Sequence, residues 1–199
     1  MKKFKLFIAE SVFPEDFYGD KREGHVVEAM AHVLHWKATY KIALSAETLS
    51  RAIKAASSGA YDILHISCHG DTEGIQVTDK TELSWDELAD CFQEAERMPQ
   101  ALVISSCVGG DGGIARAFRD RKRRPNVIFG AEGKASRRIT FTGACITWPI
   151  LYTSLGKAGL TRDAFKDAVT KMNLITNHEF VYRRWHEGKY RRYPSRKQA

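Results

Sequence analysis

Apolar positions along the chain follow two rhythms, short continuous runs and residues three or four apart, and the two alternate. Residues 4–9 form a short apolar run that reads as a buried strand, and residues 11–20, with Pro14 and Gly19, read as a loop. Val26, Val27, Met30, Val33 and Leu34 recur near helical spacing within residues 24–36. A short strand is expected at 40–44. Ser45 is a candidate N-cap for a helix over 46–56, with Thr48 rather than glutamate at the reciprocal position, and Ser57-Ser58-Gly59 ends it. Further strands are expected at 61–67, 101–105 and 127–130, with a hairpin over 74–83. Ser84, with Glu87 three residues later, makes a capping box for a helix over 85–95. Helices are also expected at 113–121, at 143–154 with an interruption at Pro149, and at 161–172. Such alternation predicts an α/β fold, a mostly parallel central sheet covered by helices on both faces. No internal repeat or linker breaks the pattern.

Composition narrows the class. The 199 residues suit one compact domain, long enough to bury a core without disulfides or metals. With 43% hydrophobic and 28% charged residues, collagen-like, low-complexity and wholly disordered chains are excluded. No apolar run reaches the ~18 residues of a membrane span, so no membrane partner is expected. The N-terminal apolar stretch stops at Glu10, too short for the core of a signal peptide. Four cysteines are too few for a disulfide scaffold, and the expected compartment is a reducing cytoplasm.

The net charge of +7 is unevenly placed. Residues 180–199 hold five Arg and two Lys against one Glu, which leaves residues 1–179 nearly neutral. The chain therefore divides into a body, 1–179, and a basic aromatic tail, 180–199. Tyr182, Trp185, Tyr190 and Tyr193 interleave with Arg183, Arg184, Arg191 and Arg192, a mixture suited to stacking bases and neutralising phosphates. An amphipathic final helix over 179–187, its aromatics packed on the body, accounts for the same pattern and is the preferred reading, so nucleic acid is not the favoured partner. A second basic run, Arg119-Asp120-Arg121-Lys122-Arg123-Arg124, reads as a solvated helix end stopped by Pro125.

The candidate chemistry follows two of the strands. Residues 61–68 end in His69-Gly70, and residues 101–106 end in Cys107 followed by Val108-Gly109-Gly110-Asp111-Gly112-Gly113. In a parallel sheet all strand C-termini share one edge, and ligand sites sit there. If the two strands are neighbours, His69 and Cys107 project into one cleft. An adjacent imidazole lets a thiol, ordinarily of pKa about 8.5, act as a thiolate at neutral pH and can then protonate a leaving amine. Gly70 lets a substrate approach the backbone, and the N–H groups of Gly70 and Cys107 are candidates for an oxyanion hole.

The order of these pieces resembles the caspase-like cysteine peptidases, and within them the bacterial CHAT-type branch. The resemblance is carried by His65-Ile66-Ser67-Cys68-His69-Gly70, by Leu83-Ser84-Trp85-Asp86-Glu87-Leu88, and by Leu102-Val103-Ile104-Ser105-Ser106-Cys107. Val127-Ile128-Phe129-Gly130-Ala131 and two late helical segments complete it, over roughly residues 4–172. It implies a caspase-like three-layer sandwich over residues 1–179, a Cys107–His69 dyad without an obligatory third residue, and endopeptidase activity that needs no cofactor. It also implies a specific protein substrate, a role in bacterial defence or regulated cell death, and a separate regulatory or sensor partner. In such a family the substrate pocket takes in the end of the first strand, the residue two before the nucleophile and the segment after the following strand. Those places hold Glu10, Ser105 and Glu132. The two carboxylates favour a basic residue before the scissile bond, whereas Arg137 or Arg138 would favour an acidic one. The run 119–124 stands near where caspases carry an activation linker, which makes self-cleavage there a testable corollary.

Three other readings compete. His65, Cys68, His69 and Cys107 are metal-ligand types, but on a strand Cys68 points away from His65 and His69, and no C-x-x-C pair is present, so no metal is expected. A non-catalytic caspase-fold module could bind a partner or nucleic acid through its basic tail. The glycine-rich stretch 109–113 suits a phosphate, yet it lacks the P-loop Lys-Ser/Thr ending and the G-x-G-x-x-G spacing. Cys91 and Cys145 are read as packing residues.

Overall fold

A computed structural model of the chain describes residues 1–133 and 139–195. Seven strands form one sheet in the order β10 (Lys189–Tyr193), β9 (Glu179–His186), β8 (Val127–Glu132), β7 (Ala101–Ser105), β3 (Ile63–Ser67), β1 (Lys5–Glu10) and β2 (Lys37–Ile42). Its parallel part comprises β1, β2, β3, β7 and β8. A small antiparallel sheet of β4 (His69–Gly70), β5 (Gly74–Gln76) and β6 (Glu82–Ser84) stands beyond the end of β3. β3 and β7 are buried at every position, as expected of central strands covered on both faces.

Two cores lie on opposite faces of the sheet, which makes the molecule a three-layer sandwich. One is closed by α2 (Glu23–Val33), α6 (Phe141–Ala158) and α7 (Arg162–Ile175), where Trp148, Phe129, Phe165 and Phe180 pack ring to ring. The other is closed by α3 (Ala46–Ser58), α4 (Trp85–Asp90) and α5 (Gly113–Ala117). Both expected caps form. Thr48 completes a capping box with Ser45, since a threonine hydroxyl reaches back as glutamate would, and Glu87 does so with Ser84. α6 runs through Pro149 without a break, although proline cannot supply the N–H that would bond the Cys145 carbonyl. Among the described residues no helix is long and apolar enough to cross a membrane.

The C-terminal segment departs from expectation. Residues 179–187 are not a helix: β9 (Glu179–His186) and β10 (Lys189–Tyr193) pair antiparallel and extend the central sheet from β8. The period is two: Phe180 and Tyr182 lie in the α6–α7 core, while the alternate residues Arg183 and Trp185 meet Glu132 and Arg124. Glu187 and Gly188 both take positive φ, 49° and 79°, which makes the two-residue turn that matches strand twist. The tail expected at 180–199 thus carries two sheet strands up to Tyr193. Nor is the basic run 119–124 a solvated helix end. α5 stops at Ala117, Arg121 binds Asp86 and Asp90, Arg123 binds the Glu96 carbonyl, and Arg124 stacks 3.9 Å over the Trp185 ring. Three of its arginines are thus engaged by neighbouring elements. The loop expected at 11–20 contains a short helix, α1 (Pro14–Tyr18), which buries none of its residues.

Candidate active site

β1 lies between β2 and β3, so the chain leaves it on one side and returns on the other. The connections that leave β1 and β3 pass to opposite faces of the sheet, through α2 and α4, and such a switch point opens a crevice. β7 flanks β3 in parallel, with Ser67 opposite Ser105. His69 and Cys107 each stand two residues beyond these partners, at matched height on neighbouring strand ends. The Cys68 N–H donates to the Ser105 carbonyl at 3.0 Å and holds the two ends together. His69 and Cys107 both line two cavities, one of about 250 Å³ and one of about 520 Å³.

The His69 ring is held from two sides. Its Nε2 lies 3.0 Å from Asp16 Oδ2, and its face stacks on Phe13 with centroids 4.1 Å apart and planes 14° apart. Asp16 also faces Lys21 at 3.4 Å. Backbone pairing of His69 with Gln76 in the small sheet fixes the ring's origin. Nothing in the pattern of residues 11–20 marked Phe13 or Asp16.

The smaller cavity is acidic. Glu10, Asp16 and Glu23 line it, and among the described residues Lys21 is the one lysine or arginine beside them. Glu10 is fully buried and accepts hydrogen bonds from the Gly24 N–H at 2.8 Å and the Tyr40 hydroxyl at 2.5 Å. Burial raises its carboxyl above the ordinary value, and the Tyr40 and Gly24 bonds only partly offset this. A Cβ on Gly24 would fall 2.8 Å from the Glu10 carboxylate and 2.4 Å from the Tyr40 ring, so only glycine allows this approach. Glu23, which the sequence did not single out, accepts from Ser105 Oγ at 2.8 Å and from His65 Nε2 at 2.8 Å. Trp148 Nε1–H donates to Ser105 Oγ at 3.1 Å, and the Tyr152 hydroxyl, 2.6 Å from His65 Nδ1, closes the chain as donor. The Glu23 carboxylate accepts only, so His65 Nε2 carries the proton, and in that tautomer Nδ1 is the acceptor for Tyr152.

Glu132 does not share this cavity. Its carboxylate, 5% exposed, is clasped by Arg183 at 2.9 Å and Arg192 at 2.6 Å in a separate groove beside β9 and β10. The strand that presents it runs two residues longer than expected and carries it to the hairpin side. Lys134, Arg137 and Arg138 lie outside the described residues. Ser105 does line the small cavity, but its hydroxyl serves Glu23.

Both His65 ring nitrogens are engaged in the α6-side core, while Cys68 packs against the opposite core, so the two are not arranged as ligands of one metal. Among the described residues no group of three His, Cys, Asp or Glu side chains could hold a metal ion. Burial pushes the thiol of Cys68 far up, that of Cys91 upward, and that of Cys145 to about 11, so each is a poor thiolate at neutral pH. At Gly70 an added Cβ would fall 2.7 Å from the Gly74 carbonyl oxygen and 3.1 Å from Ser106 Cβ, which explains the glycine after His69. The larger cavity, on the small-sheet side, is lined by Asp71, Glu73, Glu82 and Glu87 as well as the His69–Cys107 pair.

No protein-family model matches the sequence, and no curated protein matches it. Among solved structures, a chain in the complex of Porphyromonas gingivalis RgpB pro- and mature domains is similar, with a TM-score of 0.52 at 14% identity. The match covers 85% of this chain and 41% of that one, so this chain spans well under half the length of its neighbour. With a mostly parallel seven-stranded sheet between two helical layers, the chain has a caspase-like fold.

Proposed function

We propose that the protein is a cysteine endopeptidase that uses Cys107 as nucleophile and His69 as acid and base, and that cleaves after a basic residue. The observation that carries this reading is the shared position of His69 and Cys107 on the rim of both cavities, with His69 oriented by Asp16 and Phe13. The Cys107 thiolate attacks the peptide carbonyl carbon, and the carbonyl oxygen takes up negative charge facing the N–H groups of Gly70 and Cys107. The carbon–nitrogen bond breaks as His69 gives its proton to the departing amine. Water, deprotonated by His69, then releases the acyl group. A basic side chain before the scissile bond enters the smaller cavity, where Glu10 and Glu23 offset its charge. No step needs a cofactor. By resemblance, the substrate is one specific protein within a bacterial defence or cell-death system, under a separate regulatory partner.

The test is labelling by peptidyl acyloxymethyl ketones bearing Arg or Asp before the warhead, on wild type, Cys107→Ala and His69→Ala. The reading expects the Arg probe to label wild type alone. Preference for the Asp probe would reverse the pocket assignment. Failure of both probes on folded protein would favour a caspase-fold binding module.

A further inference from the structure

We infer that Ser106, the residue before the nucleophile, donates a hydrogen bond to the substrate's carbonyl oxygen as it becomes the tetrahedral oxyanion. This rests on the peptidase reading above. Ser106 is only 2% exposed, and its hydroxyl has no hydrogen-bond partner among the described residues. Buried hydroxyls are nearly always paired, because an unmade bond there is costly, so one left open calls for a partner that comes from elsewhere. Ser106 lines the small cavity together with His69 and Cys107, so that partner can be a bound substrate.

The neighbouring serine sharpens the assignment. Ser105, the last residue of β7, turns toward Glu23 and Trp148, where its hydroxyl is fully used, and Ser106 stands in the bend that follows. Ser106 turns toward Gly70. Its Cβ and Oγ lie 3.1 and 3.2 Å from the point a Gly70 Cβ would occupy. The hydroxyl therefore lies close against Gly70, within the same cavity as the dyad. It adds a side-chain donor where the Gly70 and Cys107 N–H groups are assigned. A donor with no ground-state partner costs nothing to redirect when charge develops, which is the condition for selective transition-state stabilisation. Ser106 keeps its proton throughout, and no bond to it forms or breaks.

The experiment compares wild type and Ser106→Ala with a fluorogenic peptide carrying arginine before the scissile bond, the matching peptidyl aldehyde, and thermal unfolding. The aldehyde forms a tetrahedral adduct with Cys107 and so reports on the oxyanion site. The expected result is a kcat lowered about 10- to 100-fold with KM nearly unchanged, and aldehyde affinity weakened by a similar factor. The unfolding temperature is expected to hold or rise, since the substitution removes an unpaired buried hydroxyl. A kcat and aldehyde affinity equal to wild type would overturn the inference. A lowered unfolding temperature with a raised KM and an unchanged aldehyde-to-substrate affinity ratio would overturn it in favour of a packing role. A wild type that the arginine ketone labels and that turns over the peptide keeps the peptidase reading whatever Ser106→Ala does. A wild type that does neither removes both.

Discussion

Asp16 Oδ2 lies 3.0 Å from His69 Nε2, so the imidazole carries a carboxylate partner drawn from an exposed helix of five residues. The sequence reading expected a dyad with no obligatory third residue. In the proposed dyad Asp16 acts through His69 as a positioning residue: it selects which ring nitrogen holds the proton and which way the ring faces. Its side chain is 27% exposed and shared with Lys21, and Phe13 also holds the ring, so its loss is only partly felt. Asp16→Asn is expected to lower kcat about tenfold, at or below the low end of general acid–base contributions, with KM nearly unchanged. Steady-state kinetics on the arginine peptide check this. A raised KM at constant kcat would place Asp16 in substrate binding instead.

Glu10 links substrate charge to stability. Its folded-state carboxyl titrates above its ordinary value near 4.5, so folding disfavours the ionised form. Whatever stability the protonated carboxyl contributes is complete below pH ~4.5 and is lost as the pH rises through the raised value. Glu10→Gln removes that loss. The variant is expected to unfold at a higher temperature than wild type at pH 7–8, with the difference vanishing at pH 4. The same substitution is expected to weaken reaction with the arginine probe. Thermal scans across pH test the first part: a variant less stable than wild type at pH 7 would show that the Tyr40 and Gly24 bonds outweigh desolvation.

Much of the fold was legible because it rests on local signals. The run 101–105 and the Ser84/Glu87 box are written into consecutive residues, and both form where expected. The relation of His69 to Cys107 was legible too, since two parallel strands that end in chemistry bring it to one edge. The carboxylates were harder to read. Glu23 sits at the first position of α2 and meets Ser105 82 positions on, an encounter only the packed sheet creates. The β9–β10 hairpin was misread because aromatic and basic residues mix at both faces, so a helical and a strand period fit equally well. Its turn, Glu187-Gly188, was the signal that separates them.

Glu23 is expected to matter for both folding and specificity. Glu23→Ala leaves the His65 Nε2–H without its acceptor in a site sealed by Trp148 and Tyr152. Orphaning a buried donor and removing a buried charge partner together cost about 2–4 kcal/mol. Denaturant unfolding should show that loss. A titration of arginine against aspartate probes should show reduced preference for arginine. An unchanged preference in a folded variant would leave Glu10 as the charge the substrate meets.

Glu132 should behave in the opposite way, changing stability and not specificity. Arg183 and Arg192 are direct cross-strand partners in the β9–β10 ladder, and like charges so placed repel. The Glu132 carboxylate bonds both and cancels the repulsion from a buried position. Glu132→Gln keeps the shape and removes the charge, so the two guanidiniums face each other less compensated. A loss of about 1–3 kcal/mol is expected, with the arginine-over-aspartate probe preference intact. A chain ending at residue 179 extends the same logic: it strips Phe180 and Tyr182 from the α6–α7 core and bares the β8 edge, and it should aggregate rather than fold. A truncated chain that stayed monomeric and kept reacting with the arginine probe would return the segment to the status of a tail. A Glu132→Gln variant of full stability but altered preference would return that residue to the substrate pocket.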